Sequence, residues 1–252
     1  MTKAPISPAV AKPGNKTQRK GSYGVDAPYL LPIPLALIAW NIWQGINTKT
    51  SWPFVGVALV TACMGFGLYA SRRGKFVVWD QLLQALNLKG DERILDIGCG
   101  RGTVLLLAAR HLSTGRAVGV DLWRRRDQSG NAARTTLDNA TKEGVADRVE
   151  LHTGDMTALT FQDNSFDLVV SNIAIHNVKG GGRQKAIGEA VRVLRPGGRL
   201  MIADISGTGE YVAQLRELGM NDVGRRNLGW RMWWSGPWLS TRLVTAIKPS
   251  TN

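Results

Sequence analysis

The chain has 252 residues, enough for one well-buried domain of alternating strands and helices with a smaller appendage. Its 32 Lys and Arg residues outnumber 19 Asp and Glu residues, and the resulting net charge of +13 raises the question of a nucleic-acid partner. The basic residues are spread over separate segments, so no nucleic-acid partner is favoured. The two cysteines exclude a disulfide framework and their spacing suits no metal site, so we expect a reducing compartment and no metal.

The N-terminal stretch, residues 1–26, mixes basic residues with Pro, Gly, Ser and Thr. It shows no apolar periodicity, and a segment of this composition buries too little apolar surface to fold. We therefore predict a disordered basic tail over residues 1–26.

Two uncharged, apolar runs follow at residues 27–48 and 50–71, with Lys49 alone between them. Each run reaches about 30 Å as a helix, which matches the hydrocarbon core of a bilayer. The runs predict two transmembrane helices, a hairpin over residues 27–71 that turns within Asn47–Pro53.

The charges around the hairpin predict its orientation. Basic residues flank it on its outer sides, at Arg19, Lys20, Arg72, Arg73 and Lys75. Basic flanks favour the cytoplasmic side, so we expect both ends and the rest of the chain in the cytoplasm. Two helices that lie on the membrane surface or over the domain are the alternative, because residues such as Pro32 and Asn41 weaken the first run.

Beyond the hairpin, runs typical of strands alternate with segments typical of helices. Strands are predicted at Arg93–Ile97, Val118–Leu122, Val149–Leu151, Phe166–Ser171 and Arg199–Ala203. Helices are predicted at Phe76–Leu88 and near Thr103–His111, Gly130–Lys142, Gln184–Leu194 and Gly209–Leu218. This alternation indicates an α/β domain over residues 76–248, with a doubly wound, mostly parallel sheet covered on both faces.

The first predicted strand ends in a glycine-rich turn that leads into an apolar helix. Gly98, Gly100 and Gly102 allow a ligand to approach main-chain amides at a helix N-terminus. Their spacing differs from that of a dinucleotide fingerprint, so the turn alone predicts a site and does not identify the ligand.

Two acidic residues narrow the choice of ligand. Asp121 ends the second strand, where a carboxylate accepts hydrogen bonds from ribose hydroxyls. Asp96 precedes the first glycine, and its charge would repel a pyrophosphate but attract an ammonium group. The pair favours S-adenosylmethionine over NAD. The arginines at 124–126 leave an NADP enzyme open as the alternative.

Residues 92–102 resemble the first motif of class I S-adenosylmethionine-dependent methyltransferases, of the type 11 or UbiE-like kind. Asp121 matches the acidic residue of that family, and residues 153–156 resemble its adenine-reading loop. Residues 166–172 and 194–200 resemble its fourth strand and the turn before its fifth strand. These segments follow the order in which the family has them.

The resemblance covers residues 76–248 and implies a seven-stranded, Rossmann-like sheet. It also implies that residues 225–230 and 241–247 form an antiparallel end of that sheet. The cofactor-binding residues expected from the resemblance and from position are Asp96, Gly98, Cys99, Gly100, Gly102, Asp121, Leu122, Trp123, Asp155, Met156 and Asn172. Among them, Asp96 would bind the methionine end, and Asp155 and Met156 the adenine.

Asn172 and His176 are the candidate catalytic residues. Asn172 ends the fourth strand, beside the transferred methyl group in the family. The His176 imidazole can take a proton from a thiol, phenol or carbon acid, because the ordinary pKa of histidine lies near the working pH. A structural histidine held by hydrogen bonds is the alternative, because the sequence shows no partner for it.

Four tryptophans lie between residues 230 and 238. They predict an aromatic cluster that closes the end strands, a belt at a membrane interface, or the wall of an apolar acceptor pocket.

Together these features predict a membrane-tethered methyltransferase that uses S-adenosylmethionine. The expected acceptor is small and lipophilic: a quinone or phenol, an isoprenoid, a lipid amine or a thiol. A protein or RNA methyltransferase is the enzymatic alternative, supported by the net charge. A catalytically silent membrane scaffold that binds the cofactor is the alternative of another class.

Overall fold

The computed structural model describes residues 20–250, so residues 1–19 of the predicted tail lie outside it. Within that range the strands are β1 (Arg93–Ile97), β2 (Arg116–Asp121), β3 (Val149–Thr153), β4 (Phe166–Asn172), β5 (Leu194–Asp204), β6 (Asn221–Asn227) and β7 (Arg242–Ile247). They form one seven-stranded sheet in the order β3-β2-β1-β4-β5-β7-β6. Strands β1 to β5 are parallel, and β7 pairs antiparallel with both β5 and β6. The predicted mostly parallel, doubly wound sheet is confirmed.

Helices cover both faces of this sheet. The described helices are α1 (Pro32–Thr48), α2 (Trp52–Tyr69), α3 (Lys75–Ala85), α4 (Thr103–Ala109), α5 (Ala133–Glu143), α6 (Gly182–Val193) and α7 (Thr208–Glu217). Side chains of β1 alternate between two hydrophobic cores, Ile94 in one and Leu95 and Ile97 in the other. Helices α3 to α5 supply the first core, and α6 and α7 supply the second. A strand buried on both faces needs a nearly continuous apolar sequence, as β1 has.

The ends of several elements differ from the prediction, and β5 begins at Leu194 instead of Arg199. Helix α3 stops at Ala85, because Asn87 takes a left-handed backbone conformation (φ 48°) that an α-helix cannot continue. The end strand predicted at 225–230 lies earlier, at Asn221–Asn227, and Trp230 starts a short 3₁₀ turn instead.

Residues 20–26 differ from the predicted disordered tail, because they bind to the domain. The amide of Gly21 donates to Glu143 Oε1 on α5 at 2.9 Å. Asp26 forms an ion pair with the buried Lys75 on α3 at 2.7 Å. The acceptors and cations that hold this segment come from distant parts of the chain, so its own composition gives no sign of them.

Helices α1 and α2 form a hairpin that turns at Lys49 (φ 51°). By length and composition both are able to span a membrane, and only 6% and 11% of their apolar stretches are buried within the protein. Pro32 lies in the first turn of α1, where its missing N–H breaks no helical hydrogen bond. The Asn41 side chain donates to the Leu37 carbonyl at 2.8 Å, so this polar group is satisfied within its own helix.

Helix α2 continues through a π-helical turn (Ala70–Gly74) directly into α3, so the hairpin and the domain share one helical rod. Gly74 permits a close contact here: a Cβ at this position would lie 1.7 Å from the carbonyl oxygen of Arg231. Gly67 permits a similar contact, because a Cβ at this position would lie 2.5 Å from the carbonyl oxygen of Trp234. The loop before β7 therefore packs on the rod through its main chain and fixes the hairpin relative to the sheet.

We predict that Gly74→Ala destabilises the protein, because the added methyl group forces the rod and the loop apart. Overpacking of this kind costs about 1–3 kcal/mol, or roughly 2–4 °C in the melting temperature per kcal/mol. The measurement is the thermal unfolding midpoint of the full chain in detergent.

Gly65→Ala is the matched control, since a Cβ at Gly65 on the same helix meets nothing within 4 Å. Alanine is also the better helix former, so this variant should be as stable as the wild type or more stable. Equal midpoints for the two variants would show that the contact at Gly74 does not hold the rod.

Candidate active site

A cavity of about 670 Å³ lies at the carboxyl ends of the parallel strands. Strand β1 pairs with both β2 and β4, and the reversal of strand order at that point leaves a crevice in a doubly wound sheet. Most of the predicted site residues line this cavity: Asp96, Gly98, Cys99, Gly100, Asp121, Leu122, Asp155, Met156, Asn172 and His176. The structure thus brings together residues from five separate loops and strand ends.

Two predicted contacts, Gly102 and Trp123, are not among the residues that line the cavity. The amide of Gly102 donates to the Cys99 carbonyl at 2.9 Å, so Gly102 shapes the turn. The Trp123 indole donates to the Thr153 hydroxyl at 2.8 Å, and its ring packs against the first hydrophobic core. Trp123 is therefore partly buried against this core, and its contact with the cofactor stays a prediction.

The side chain of Asp96 is buried, with 1% exposure, and only one of its oxygens has a partner. Oδ2 accepts a hydrogen bond from the Leu105 amide at 2.9 Å, whereas Oδ1 has no partner among residues 20–250. Burial raises the pKa of Asp96 to about 7, helped by the nearby charge of Asp121 and opposed by the Leu105 amide. A buried anion with a free oxygen in a cavity wall is suited to a cationic group of a ligand.

Two further buried polar atoms in the cavity wall lack partners within the described residues: Thr103 Oγ1 and Asn131 Oδ1. Neither residue is predicted from the sequence, because a threonine and an asparagine outside a motif give no signal of their own. Buried polar groups are normally hydrogen-bonded, so unpaired atoms around one cavity indicate a polar ligand.

The glycine turn is held by the strand next to it. Gly98 has φ 73°, and a Cβ there would lie 2.3 Å from the Cβ of Ala174, so the turn requires glycine at this position. The Gly100 amide donates to Asp121 Oδ2 at 2.9 Å, which fixes the carboxylate beside the turn.

Burial, with the charges of Asp96 and Asp121, raises the pKa of Cys99 well above its ordinary value. Cys99 therefore contributes its main chain and a neutral thiol to the cavity.

Asp155 and Met156 lie in the loop after β3 and form another part of the wall. Asp155 Oδ1 accepts hydrogen bonds from the amide and the hydroxyl of Thr157, both at 2.9 Å. These hydrogen bonds lower the pKa of Asp155. Asp155 is thus a charged, oriented hydrogen-bond acceptor at neutral pH.

His176 has a partner that the sequence did not reveal. Its Nδ1 lies 2.7 Å from Asp204 Oδ1, and its main-chain amide donates to Asp204 Oδ2 at 3.0 Å. Asp204 is fully buried at the end of β5 and also accepts the amide of Ile205 at 2.8 Å. An acidic residue at the carboxyl end of the fifth predicted strand was the signal available in the sequence.

Asn172 is also positioned by a contact that the sequence did not predict. The indole of Trp79 on α3 donates to Asn172 Oδ1 at 2.8 Å. The next residue, Ile173, has φ 53°, a conformation that is strained for a β-branched side chain. The Ile173 amide donates to the Ala203 carbonyl at 2.8 Å, which helps to hold this sharp turn between β4 and His176.

The tryptophans after β6 have separate positions in the structure. Trp230 stacks on Tyr69, and Trp233 packs edge-on against Phe66, so both lie on the α2 side of the rod. Trp234 lines the cavity, whereas the ring of Trp238 is 73% exposed. The cluster therefore joins the hairpin to the domain and forms part of the cavity wall.

Residues 88–227, more than half of the chain, match the family described as a methyltransferase domain. The chain therefore belongs to the methyltransferase-domain family, and its sheet order and glycine turn are those of a class I S-adenosylmethionine-dependent methyltransferase.

Relatives of the chain include demethylmenaquinone methyltransferase of Lactiplantibacillus plantarum, 32% identical over 127 residues, or 50% of each chain. A ubiquinone/menaquinone biosynthesis C-methyltransferase of Ruegeria sp. is 32% identical over 130 residues, which cover 51% of this chain and 49% of that protein. The chain spans about half the length of the curated relatives it matches. Among solved structures, geranyl diphosphate methyltransferase with S-adenosylmethionine has a TM-score of 0.55 at 16% identity, over 69% of this chain and 85% of that one.

We predict that cofactor affinity depends on pH through Asp96. With a pKa of about 7 in the empty protein, the carboxyl is largely neutral at lower pH, and a neutral carboxyl attracts an ammonium group weakly. Affinity for S-adenosylhomocysteine should therefore fall by up to about tenfold per pH unit below 7. Calorimetric titration between about pH 5.5 and 8.5 measures this.

Asp96→Asn is the control, because it keeps the shape and removes the charge. This variant should bind S-adenosylhomocysteine at least about tenfold more weakly at high pH, and its affinity should not change with pH. That result would assign the pH dependence to Asp96 and not to His176. The free energy of unfolding of the empty protein, measured against pH, gives a second readout. Because the pKa of Asp96 in the folded protein lies above its ordinary value of 3.8, the residue contributes stability that is fully present below pH 3.8 and is lost as the pH rises to about 7. A wild-type affinity that stays constant across pH 7 would contradict the assignment.

Proposed function

We propose that the chain transfers a methyl group from S-adenosylmethionine to a small, lipophilic acceptor that carries an acidic proton. One observation carries this proposal: His176, held by the buried Asp204, lines the same cavity as the unpaired oxygen of Asp96. A candidate base and a candidate cofactor site therefore face one space. A membrane scaffold that binds the cofactor and catalyses no reaction would not need a base in this cavity.

The unpaired atoms of the cavity fit the cofactor. Asp96 Oδ1 is available for the ammonium group, and Asp121 and Asn131 lie side by side for the ribose hydroxyls. Asp155 and Met156 are available for the adenine. When bound, S-adenosylmethionine would supply an electrophilic methyl group on a sulfonium sulfur, which leaves as a neutral thioether.

His176 acts as the base in this proposal. A buried carboxylate only accepts hydrogen bonds, so Asp204 fixes the proton on Nδ1 and leaves the lone pair on Nε2. Nε2 can then take the proton of a hydroxyl, thiol or carbon acid as the methyl group arrives. Asp204 stabilises the imidazolium that forms, and Arg183, which donates to the His176 carbonyl at 2.9 Å, helps to fix the turn.

The cavity wall favours an amphipathic acceptor over a protein or RNA. Leu30, Trp234 and Leu239 give one part of the wall an apolar surface, while Arg124 and Arg126 line another part. A compound with a polar head and a hydrocarbon tail matches both. The names of the relatives, which include a demethylmenaquinone methyltransferase, support a quinol or phenol as the head.

We also propose that α1 and α2 cross a membrane and keep the domain in the cytoplasm. The support is their length, their apolar composition and their exposure, with Trp40 and Trp43 more than half exposed. Lys49 is the only charged residue at the hairpin turn, whereas Lys20, Arg72 and Arg73 flank the other end.

The test of the activity is to incubate the full chain with labelled S-adenosylmethionine and a chemically reduced lipid extract of the source cells, and to identify the labelled product. We predict that His176→Gln lowers turnover by about 10²–10⁴-fold, because the base is removed. Cofactor affinity should stay unchanged. Asp204→Asn should also lower turnover and change the pH profile, because it alters the tautomer of His176.

His152→Gln is the control, since His152 lies outside the residues that line the cavity and should leave turnover unchanged. Full activity of His176→Gln would show that His176 is a structural histidine. Label that enters protein or RNA and no lipid would overturn the acceptor class.

We predict that Lys49→Cys reacts with a membrane-impermeant maleimide added to intact spheroplasts, because the hairpin turn lies outside. Lys142→Cys, on the exposed side of α5, should react only after permeabilisation. Wild type gives the background, since Cys99 is buried with a raised pKa. If Lys49→Cys also requires permeabilisation, the helices lie on the inner membrane surface.

A further inference from the structure

A second cavity, of about 490 Å³, lies between the two hairpin helices and the loop before β7. Its wall is almost entirely apolar: Ile33, Pro34 and Leu37 come from the first helix, and Val60, Met64 and Leu68 from the second. No charged residue other than Asp26 lines it within residues 20–250. We call this cavity the hairpin groove.

The hairpin groove adjoins the active-site cavity. The two spaces share wall residues, namely Asp26, Ala27, Leu30, Trp234 and Leu239. A long molecule is therefore able to occupy both spaces at once, with one end beside His176 and the other between the helices.

The junction between the two spaces presents no unpaired charge. The Asp26 carboxylate accepts hydrogen bonds from Lys75 at 2.7 Å, Ser71 at 2.8 Å and Gln128 at 2.9 Å. The Trp234 indole donates to Thr241 at 2.9 Å, which leaves its ring as an apolar wall. A hydrocarbon chain at this junction would break no ion pair, so burying the chain there is favourable.

The hairpin groove is also accessible from the apolar outer surface of the hairpin. Ile33 and Leu59 line it while remaining 57% and 63% exposed. If the helices lie in lipid, a hydrocarbon chain reaches the groove without entering water.

We propose that the hairpin groove binds the hydrocarbon tail of the acceptor, which passes Leu30 and Leu239 to place its polar head in the active site. This inference rests on the proposed function, because it assigns the tail of the same acceptor. For an acceptor that enters from water, each methylene that the groove buries raises affinity about three- to fourfold, whereas for an acceptor that enters from lipid the groove selects tails by how well they pack.

The test uses 4-dodecylphenol with a diazirine at the end of its chain, added to the full protein in phosphatidylcholine nanodiscs. After photolysis, mass spectrometry locates the labelled residues, and excess plain 4-dodecylphenol defines the saturable fraction. We expect saturable label on the groove residues of α1, α2 and the loop at 234–239. Saturable label confined to the outer faces of the hairpin would overturn the proposal.

Val60→Trp should fill the groove and lower the saturable label by at least about fivefold, since an indole replaces several methylenes of space. Val55→Trp is the matched control, because Val55 is on the same helix, is 46% exposed and does not line the groove. Leu37→Phe fills the groove from α1 and keeps the test decisive if Val60→Trp folds poorly. Binding of S-adenosylhomocysteine, which should match wild type in all variants, reports folding.

Equal loss of label in the groove variants and in Val55→Trp would overturn the inference. Failure of the proposed function has a different signature: the groove variants lose label, yet the wild type methylates no lipid. If the wild type methylates a lipid and Val60→Trp leaves both the label and the preference for long tails unchanged, only the groove assignment fails.

Discussion

The site depends on a carboxylate that the fold buries with one oxygen unpaired. Asp96 lies within the buried stretch 94–97 of β1, and one main-chain amide, that of Leu105, is its only hydrogen-bond donor among residues 20–250. Burial raises the pKa of Asp96 to about 7, which shows how poorly the empty site stabilises the charge. A bound cationic group would pair with the unpaired oxygen of Asp96, so ligand binding and protein stability would be coupled through this residue.

The second constraint is the unbroken helical rod from Trp52 to Ala85. An anchor joined by a loose linker would leave the domain free to rotate. Here, the main-chain contacts at Gly67 and Gly74 fix the loop before β7 on the rod, and that loop carries Trp234 into the wall of the active site. Trp79, on the same rod, positions Asn172. The hairpin and the candidate catalytic residue Asn172 therefore belong to one rigid arrangement.

The sequence predicts local features of this molecule well and long-range pairs poorly. The bounds of β1 agree with the prediction, because a short apolar run before a glycine turn is a local pattern. The partner of His176 lies 28 residues away on another strand, and the partner of Asn172 lies 93 residues away on a helix. No periodicity or motif encodes such pairs, since they arise only when the sheet brings strand ends together. For the same reason, residues 20–26 were predicted to be disordered.

The position of the N-terminal segment has a consequence for biosynthesis. Gly21 binds Glu143, 122 residues later in the chain, and Val25 binds Ser129, 104 residues later. On the ribosome these early residues emerge long before their acceptors exist, and closing so large a loop is slow. A nascent chain that ends before α5 already contains the complete glycine turn. It also contains Ser71, Lys75 and Gln128, the partners of Asp26, but it lacks Glu143, so the docking of residues 20–23 is completed only after α5 has emerged.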